Sequence, residues 1–322
     1  MKHVLRSLLL AAALLVPAAA SAQDWPTRPV RIVSPFAAGG TADILARMVA
    51  DHLTSVFKQQ FFVENRTGAG GAIGVHSVAT SPPDGYNLVI TNISMLVTIP
   101  VMNPKLVYHP TRDLTNIAYV AGAPVVVAVN DASGIKSIDQ LIAVGKKQGK
   151  PLSYSSSGIG TNGHLLGESF GKLAKIGVVH IPYKGAAIGI TDLIAGHINF
   201  GLPVLGSVAS HLRGGALVPL AHSAGERVPE YPEVPTLKEL GYPDLTTTTW
   251  FSLSGPANLP RPLAERINRE VAAMVQKPDI RERIQRDGMI TETMSIDEFG
   301  KFIDAETARW KPVIEAAGLM AK

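Results

Sequence analysis

An α/β protein built of two lobes is the fold class that the sequence predicts, and three observations carry it. Apolar strand-like runs alternate with helices of 3.6-residue periodicity from Val30 onward. The alternation restarts near residue 130, as if a second unit began there. Two segments, 125–129 and 246–253, lie where the chain would pass between the units, and paired crossings of this kind make a hinged cleft.

Taken in order, residues 30–33 (VRIV) read as a first strand that ends in the glycine turn Ala37-Ala38-Gly39-Gly40. Thr41 opens a helix on which Ile44, Leu45, Met48, Val49 and Leu53 recur on one face. A strand at 61–64 leads to a second glycine turn (68–71) and a short helix, and Asp84-Gly85 turns the chain into a strand at 86–91. Strands at 117–120 and 125–129 follow. In the second unit, strands are expected at 152–155, 178–181, 198–201 and 217–221, with helices near 162–174, 187–195 and 204–212 between them. Ser137 with Gln140, Thr236 with Glu239, and Ser295 with Glu298 have capping-box spacing. A return strand at 246–253 precedes a helical tail at 262–276, 279–287 and 295–316. The units are thus expected as lobe 1, residues 23–125 plus 250–322, and lobe 2, residues 126–249.

Composition narrows the function classes. Lys2 and Arg6 precede an apolar run at 8–16 and the Ala20-Ser21-Ala22 cleavage pattern, so residues 1–22 read as a secretory signal peptide. Without Lys2 and Arg6, 28 basic residues face 26 acidic ones, and no Lys/Arg run marks a nucleic-acid surface. The absence of cysteine excludes disulfides, thiol chemistry and cysteine-bound metal. With no G-x-S-x-G, no H-E-x-x-H and scattered histidines, no catalytic residue, metal or cofactor is expected.

Two strand–glycine–helix junctions hold the chemistry. Backbone N–H groups at a helix start are unpaired and sit at the positive end of the dipole, so such turns hold carboxylates or phosphates. One junction runs 34–43, with Phe36, Ala38, Gly39, Gly40, Thr41 and Asp43; the other runs 155–164, with Ser156, Ser157, Gly158, Gly160, Thr161 and His164. Asp43 suits a helix first turn as well as it suits a ligand, His164 could equally pack its helix, and Ser94 serves a cleft or a plain turn. Phe36 and Trp250 are candidates for a pocket wall or for core. The second junction contains a literal G-x-G-x-x-G at 158–163. A dinucleotide site would need an acid near the end of the next strand, where Pro182-Tyr183-Lys184 stands instead.

The ordered segments "RPVRIVSPFAAGGTADILAR", "VENRTGAGGAIG", "PPDGYNLVIT", "YSSSGIGTNGHLLGE", "HIPYKGAAIGITDLIAG" and "ERVPEYPEVPTLKELGYPD" resemble the tripartite tricarboxylate transporter substrate-binding proteins, the Bug or TctC family. The resemblance implies a type II periplasmic-binding-protein fold with a hinged ligand cleft. It also implies a monomer in the periplasm that binds a small carboxylate and delivers it to a large and a small membrane permease subunit. Both junctions match the family's carboxylate-gripping loops, Ser94 matches a third cleft segment, and Tyr183 lies in the matching "PYKG". Many relatives have Phe-Asp where this chain has Leu202-Pro203; Pro203 cannot pair with an amino group, which favours a simple organic acid. A ligand sensor for a membrane kinase, and an exported enzyme using His164 or Asp43, are the alternative functions.

Overall fold

The computed structural model describes residues 25–320; the expected signal peptide, 1–22, lies outside them. No helix among the described residues is long and apolar enough to cross a membrane.

Strand β1 (Val30–Ser34) is followed by helix α1 (Thr41–Phe57), β2 (Phe61–Asn65), α2 (Ala72–Ala79) and β3 (Asn87–Asn92). β1 pairs in parallel with β2 on one side and β3 on the other, which buries Val30, Ile32 and Val33 completely. Leu45, Val49 and Leu53 of α1, four residues apart on one face, are fully buried with them. After β3 the chain forms a buried helical segment, a wide turn at Ser94–Thr98 running into α3 (Ile99–Met102), which periodicity does not announce. β4 (Leu114–Pro124) passes through the single residue Val125 into β5 (Val126–Asn130). The first sheet has the order β2-β1-β3-β10-β4, because β10 (Thr248–Pro256) returns antiparallel between β3 and β4.

The second lobe repeats the plan with α4 (Ile138–Lys147), β6 (Leu152–Ser156), α5 (Asn162–Ala174), β7 (Val178–Pro182), α6 (Ala186–Ile194), β8 (Phe200–Gly201), α7 (Leu205–Arg213) and β9 (Leu217–His222). Its sheet order is β7-β6-β8-β5-β9. The tail forms α8 (Arg261–Gln276), α9 (Pro278–Arg286) and α10 (Ile296–Ala317). The Ser295–Glu298 capping box closes and starts α10. Thr236 and Glu239 also exchange both bonds, at 2.9 and 2.7 Å, yet they close a turn and no helix follows.

In each sheet the parallel strands end toward the other lobe, so the loops after β1, β3, β6 and β8 meet between the sheets. Carboxyl ends of parallel strands are where open α/β sheets hold ligands.

Candidate ligand-binding site

The facing loops enclose a cleft with about 430 Å³ of empty space, counting its mouth. Phe36 and the first residues of α1, Thr41 and Ala42, form one wall beside Asn92 and Ser94 from the end of β3. Ser157, Thr161, Asn162 and Gly163 of the β6–α5 junction stand opposite, joined by Ala186 at the start of α6. Leu202, Val204 and Ser207 bring in the β8–α7 junction, and Thr249 and Phe251 of β10 form the floor.

None of these side chains is charged. Instead, the N-termini of four helices open on the cleft: α1, α5, α6 and α7. At roughly half an elementary charge each, they supply about two positive charges without a cation. Ser94 adds a hydroxyl that is buried to 1% exposure and has no hydrogen-bond partner, although its own N–H is held by Asn92 Oδ1 at 2.9 Å. A buried polar atom of this kind carries a desolvation penalty until something bonds to it. These groups can hold a compact anion through backbone N–H groups and hydroxyls.

Of the residues expected from sequence, Phe36, Gly40, Thr41, Ser94, Ser157 and Thr161 line the cleft. Phe36 is a wall, whereas Trp250 points the other way into the core. The remaining expected residues are not among those that line this cleft, and they shape the loops around it. The Asp43 carboxylate accepts from Gly39 N–H (3.1 Å), Arg47 Nε (3.0 Å) and Nη2 (3.1 Å), and Asn65 Nδ2 (2.8 Å). Asn65 also donates to the Phe36 carbonyl at 3.0 Å, so Asp43 braces the whole first loop. Burial alone would raise its pKa, but these donors outweigh it and hold the group below the ordinary carboxylate range. Ala38 and Gly39 lie on the exposed outer side of the same loop.

In the second loop, Ser156 Oγ turns inward to His180 Nε2 at 2.7 Å and accepts from Gly158 N–H at 3.1 Å. Gly158 and Gly160 have φ of 133° and 79°, backbone that a side chain resists, and Gly160 N–H donates to His164 Nδ1 at 3.2 Å. Tyr183 donates to Asp192 at 2.6 Å, away from the cleft. The Pro203 carbonyl accepts from Val126 N–H at 2.9 Å, and it is the flanking Leu202 and Val204 that reach the ligand space.

Sequence reasoning missed Asn92, Asn162, Ala186, Ser207, Thr249 and Phe251. Gly185 before α6, at φ 143°, was the available signal for Ala186, and Asn162 stands inside the second junction itself; the others are distant in sequence from either junction. Ser207 matters for closure. Its Oγ lies 2.8 Å from Thr41 N and 2.7 Å from Thr41 Oγ1, capping α1 from the opposite lobe. Ala37 N–H to the Lys184 carbonyl (2.9 Å) and Thr98 Oγ1 to the Gly160 carbonyl (2.7 Å) also join the lobes across the cleft mouth.

A family model for tripartite tricarboxylate transporter family receptors matches residues 45–319. Protein BugT of Bordetella pertussis is 30% identical over 308 residues, spanning 95% of this chain and 94% of BugT. Among solved structures, Rpa4515 of Rhodopseudomonas palustris with adipate is 31% identical with a TM-score of 0.88, covering 91% of this chain and 98% of that one. MatC of Rhodopseudomonas palustris with bound malate is 26% identical with a TM-score of 0.84, covering 90% and 100%. Two five-stranded sheets and these likenesses identify the fold as that of the type II periplasmic binding proteins. The chain belongs to the tripartite tricarboxylate transporter receptor family.

Proposed function

We propose that this protein is a periplasmic receptor that captures a small organic acid, a dicarboxylate in particular, and delivers it to a membrane permease of one large and one small subunit. The observation that carries the reading is the cleft with four helix N-termini, an unpartnered buried serine hydroxyl and no charged side chain. About two positive charges' worth of dipole suits a dianion, and charge-assisted bonds to backbone N–H groups contribute roughly 1.5–3 kcal/mol each. The relatives solved with adipate and malate support the same chemistry. The lobes in this reading are residues 23–125 plus 250–322 and residues 126–249, moving about the Val125 and Thr248 crossings.

Native mass spectrometry of the protein as purified, followed by thermal shift and calorimetry on an organic-acid panel, tests the proposal. A dicarboxylate should bind at least tenfold more tightly than its monomethyl ester, and no acid should be consumed. Turnover of a bound acid, or equal affinity for ester and diacid, counts against it. Ser94→Ala should weaken the same ligand about tenfold, the value of one hydrogen bond to a charged group. Unchanged affinity on calorimetry would remove Ser94 from the contact set.

A further inference from the structure

Behind the second anion loop stands a column of four side chains that the receptor reading leaves unused. Tyr154 of β6 stacks on His180 of β7 with ring centroids 4.9 Å apart, and His180 stacks on His164 of α5 at 4.2 Å. Tyr154 donates to Glu168 of α5 at 2.7 Å. Each imidazole holds one end of the loop: His180 through Ser156 Oγ, and His164 through the Gly160 N–H it accepts at Nδ1. The Gly160 carbonyl in turn takes the Thr98 hydroxyl from the other lobe.

We infer that His164 and His180 are positioning residues for the second anion loop, and that they act only as neutral rings, so that ligand capture is linked to proton release. The inference rests on the receptor reading of the cleft. Nδ1 of His164 can accept the Gly160 N–H only while it carries no proton. Two protonated rings 4.2 Å apart would repel, and no described residue is placed to neutralise both. The titratable groups facing the pair are Tyr154 from β6 and Glu168 from α5; Glu168 favours a charged His164 but is already engaged by Tyr154. The free edge of His164 opens on a groove between the lobes whose first-lobe side includes Ala72, Ile99, Met102, Asn103 and the C-terminal Leu319 and Met320, and no described residue lining it besides His164 is ionisable. Bringing the lobes together therefore takes water from this ring and adds no counter-charge from the described residues.

The sign follows. Burial lowers the proton affinity of both rings, and His180 also feels His164; its pKa falls to about 4 from an ordinary value of 6.5. When the lobes separate, His164 regains water and its pKa moves back toward 6.5. Capture then expels a proton to solvent, and affinity is lost as pH falls below about 6.5. One linked proton changes the dissociation constant about tenfold per pH unit in that window.

The test uses the mature protein, adipate as probe, and the double variant His164→Asn, His180→Gln, whose side chains keep hydrogen-bonding atoms at the same reach and do not titrate. Calorimetry at pH 6 in buffers of different ionisation enthalpy should show proton release by the wild type and none by the variant. From pH 7 to pH 5 the wild type should lose at least tenfold more affinity than the variant, a comparison from which adipate's own titration cancels. Superimposable profiles overturn the inference. If adipate binds neither protein, the ligand class proposed above is at fault and NMR of the ligand-free protein still decides. The Gly160 amide should titrate at the same midpoint as the His164 ring, and not in His164→Asn alone. A Gly160 amide indifferent to that ring ends the argument.

Discussion

Replacing Gly70 with alanine will leave the protein folded and weaken ligand capture at least a hundredfold. Gly70 sits before α2 with φ of 63°, and a Cβ there would lie 2.5 Å from the Ile159 carbonyl oxygen and 2.8 Å from Ile99 Cδ1. The Ile99 methyl can swing aside. The Ile159 oxygen cannot, because it is backbone of the anion loop on the opposite lobe. The left-handed conformation penalises alanine by about 1–2 kcal/mol, but that strain is present whether the lobes are together or apart and cancels from binding. What remains is a wedge felt only on closure. A hundredfold is about 2.7 kcal/mol, a modest value for holding two backbones apart by an ångström. Calorimetry with the wild-type ligand measures the loss, and small-angle scattering should show the ligand-bound variant less compact than wild type. Wild-type affinity together with wild-type compaction would mean that the lobes do not meet at Gly70. Gly185 (φ 143°) is a second such contact, since a Cβ there would approach Ala37 N to 2.8 Å.

Much of the fold was legible because local rules and tertiary packing agree along most of the chain. α5 begins and ends where the apolar period and the glycine turn place it, at Asn162 and Ala174. Where the two disagree, the reading failed for identifiable reasons. Ser94–Met102 is helical but buried on nearly every side, so it has no polar face and no period, and Pro100 discourages a helix reading. β8 shrinks to Phe200–Gly201 because only those residues pair with Tyr154 and Ser155; Asn199 spends its side chain on Ser153. At Thr236 the capping box is real, but Gly241 at φ 90° ends the turn before a helix can propagate.

The site was legible as backbone and poorly legible as side chains. Glycine placement locates an amide nest, since only certain turns need positive φ beside a helix start, and both expected junctions do open on the cleft. Which side chains of a nest turn toward the ligand depends on what else competes for them. Asp43 finds Arg47 one helical turn along and Asn65 on the neighbouring strand; Ser156 finds His180 on β7. Ser207, Thr249 and Phe251 arrive from 166 or more residues beyond Thr41, through sheet order and lobe contact. Periodicity within one element carries no information about that.

Trp250→Ala will be the most destabilising of the substitutions considered, and it separates the two faces of β10. Successive residues of a strand point to opposite sides. Thr249 and Phe251 face the cleft, while Trp250, 2% exposed, faces α10. There it meets Phe299 and Phe302 edge-on with centroids 5.8 and 5.3 Å away, and Tyr119 of β4 packs edge-on against the same two rings. Its Nε1–H donates to Glu306 Oε2 at 3.0 Å. Truncation empties the centre of this aromatic cluster and removes one of the two donors to the part-buried Glu306 carboxylate, which keeps Arg309 Nη1 at 3.3 Å, for a loss of about 3–5 kcal/mol. In a protein of this size each kcal/mol moves the melting midpoint by roughly 2–4 °C, so scanning calorimetry should register a fall of about 10 °C. Trp250→Phe keeps the rings in contact and forfeits mainly the Glu306 bond, so it should cost about 1 kcal/mol. Comparable losses in the two variants would assign the stability to the hydrogen bond; a loss below 1 kcal/mol in Trp250→Ala would mean that α10 does not depend on this ring. Affinity should follow stability only weakly in Trp250→Phe and clearly in Trp250→Ala. The floor of the cleft is held in register from behind, and α10 also reaches the second crossing through Arg309 Nη2, which donates to the Thr246 carbonyl at 3.0 Å.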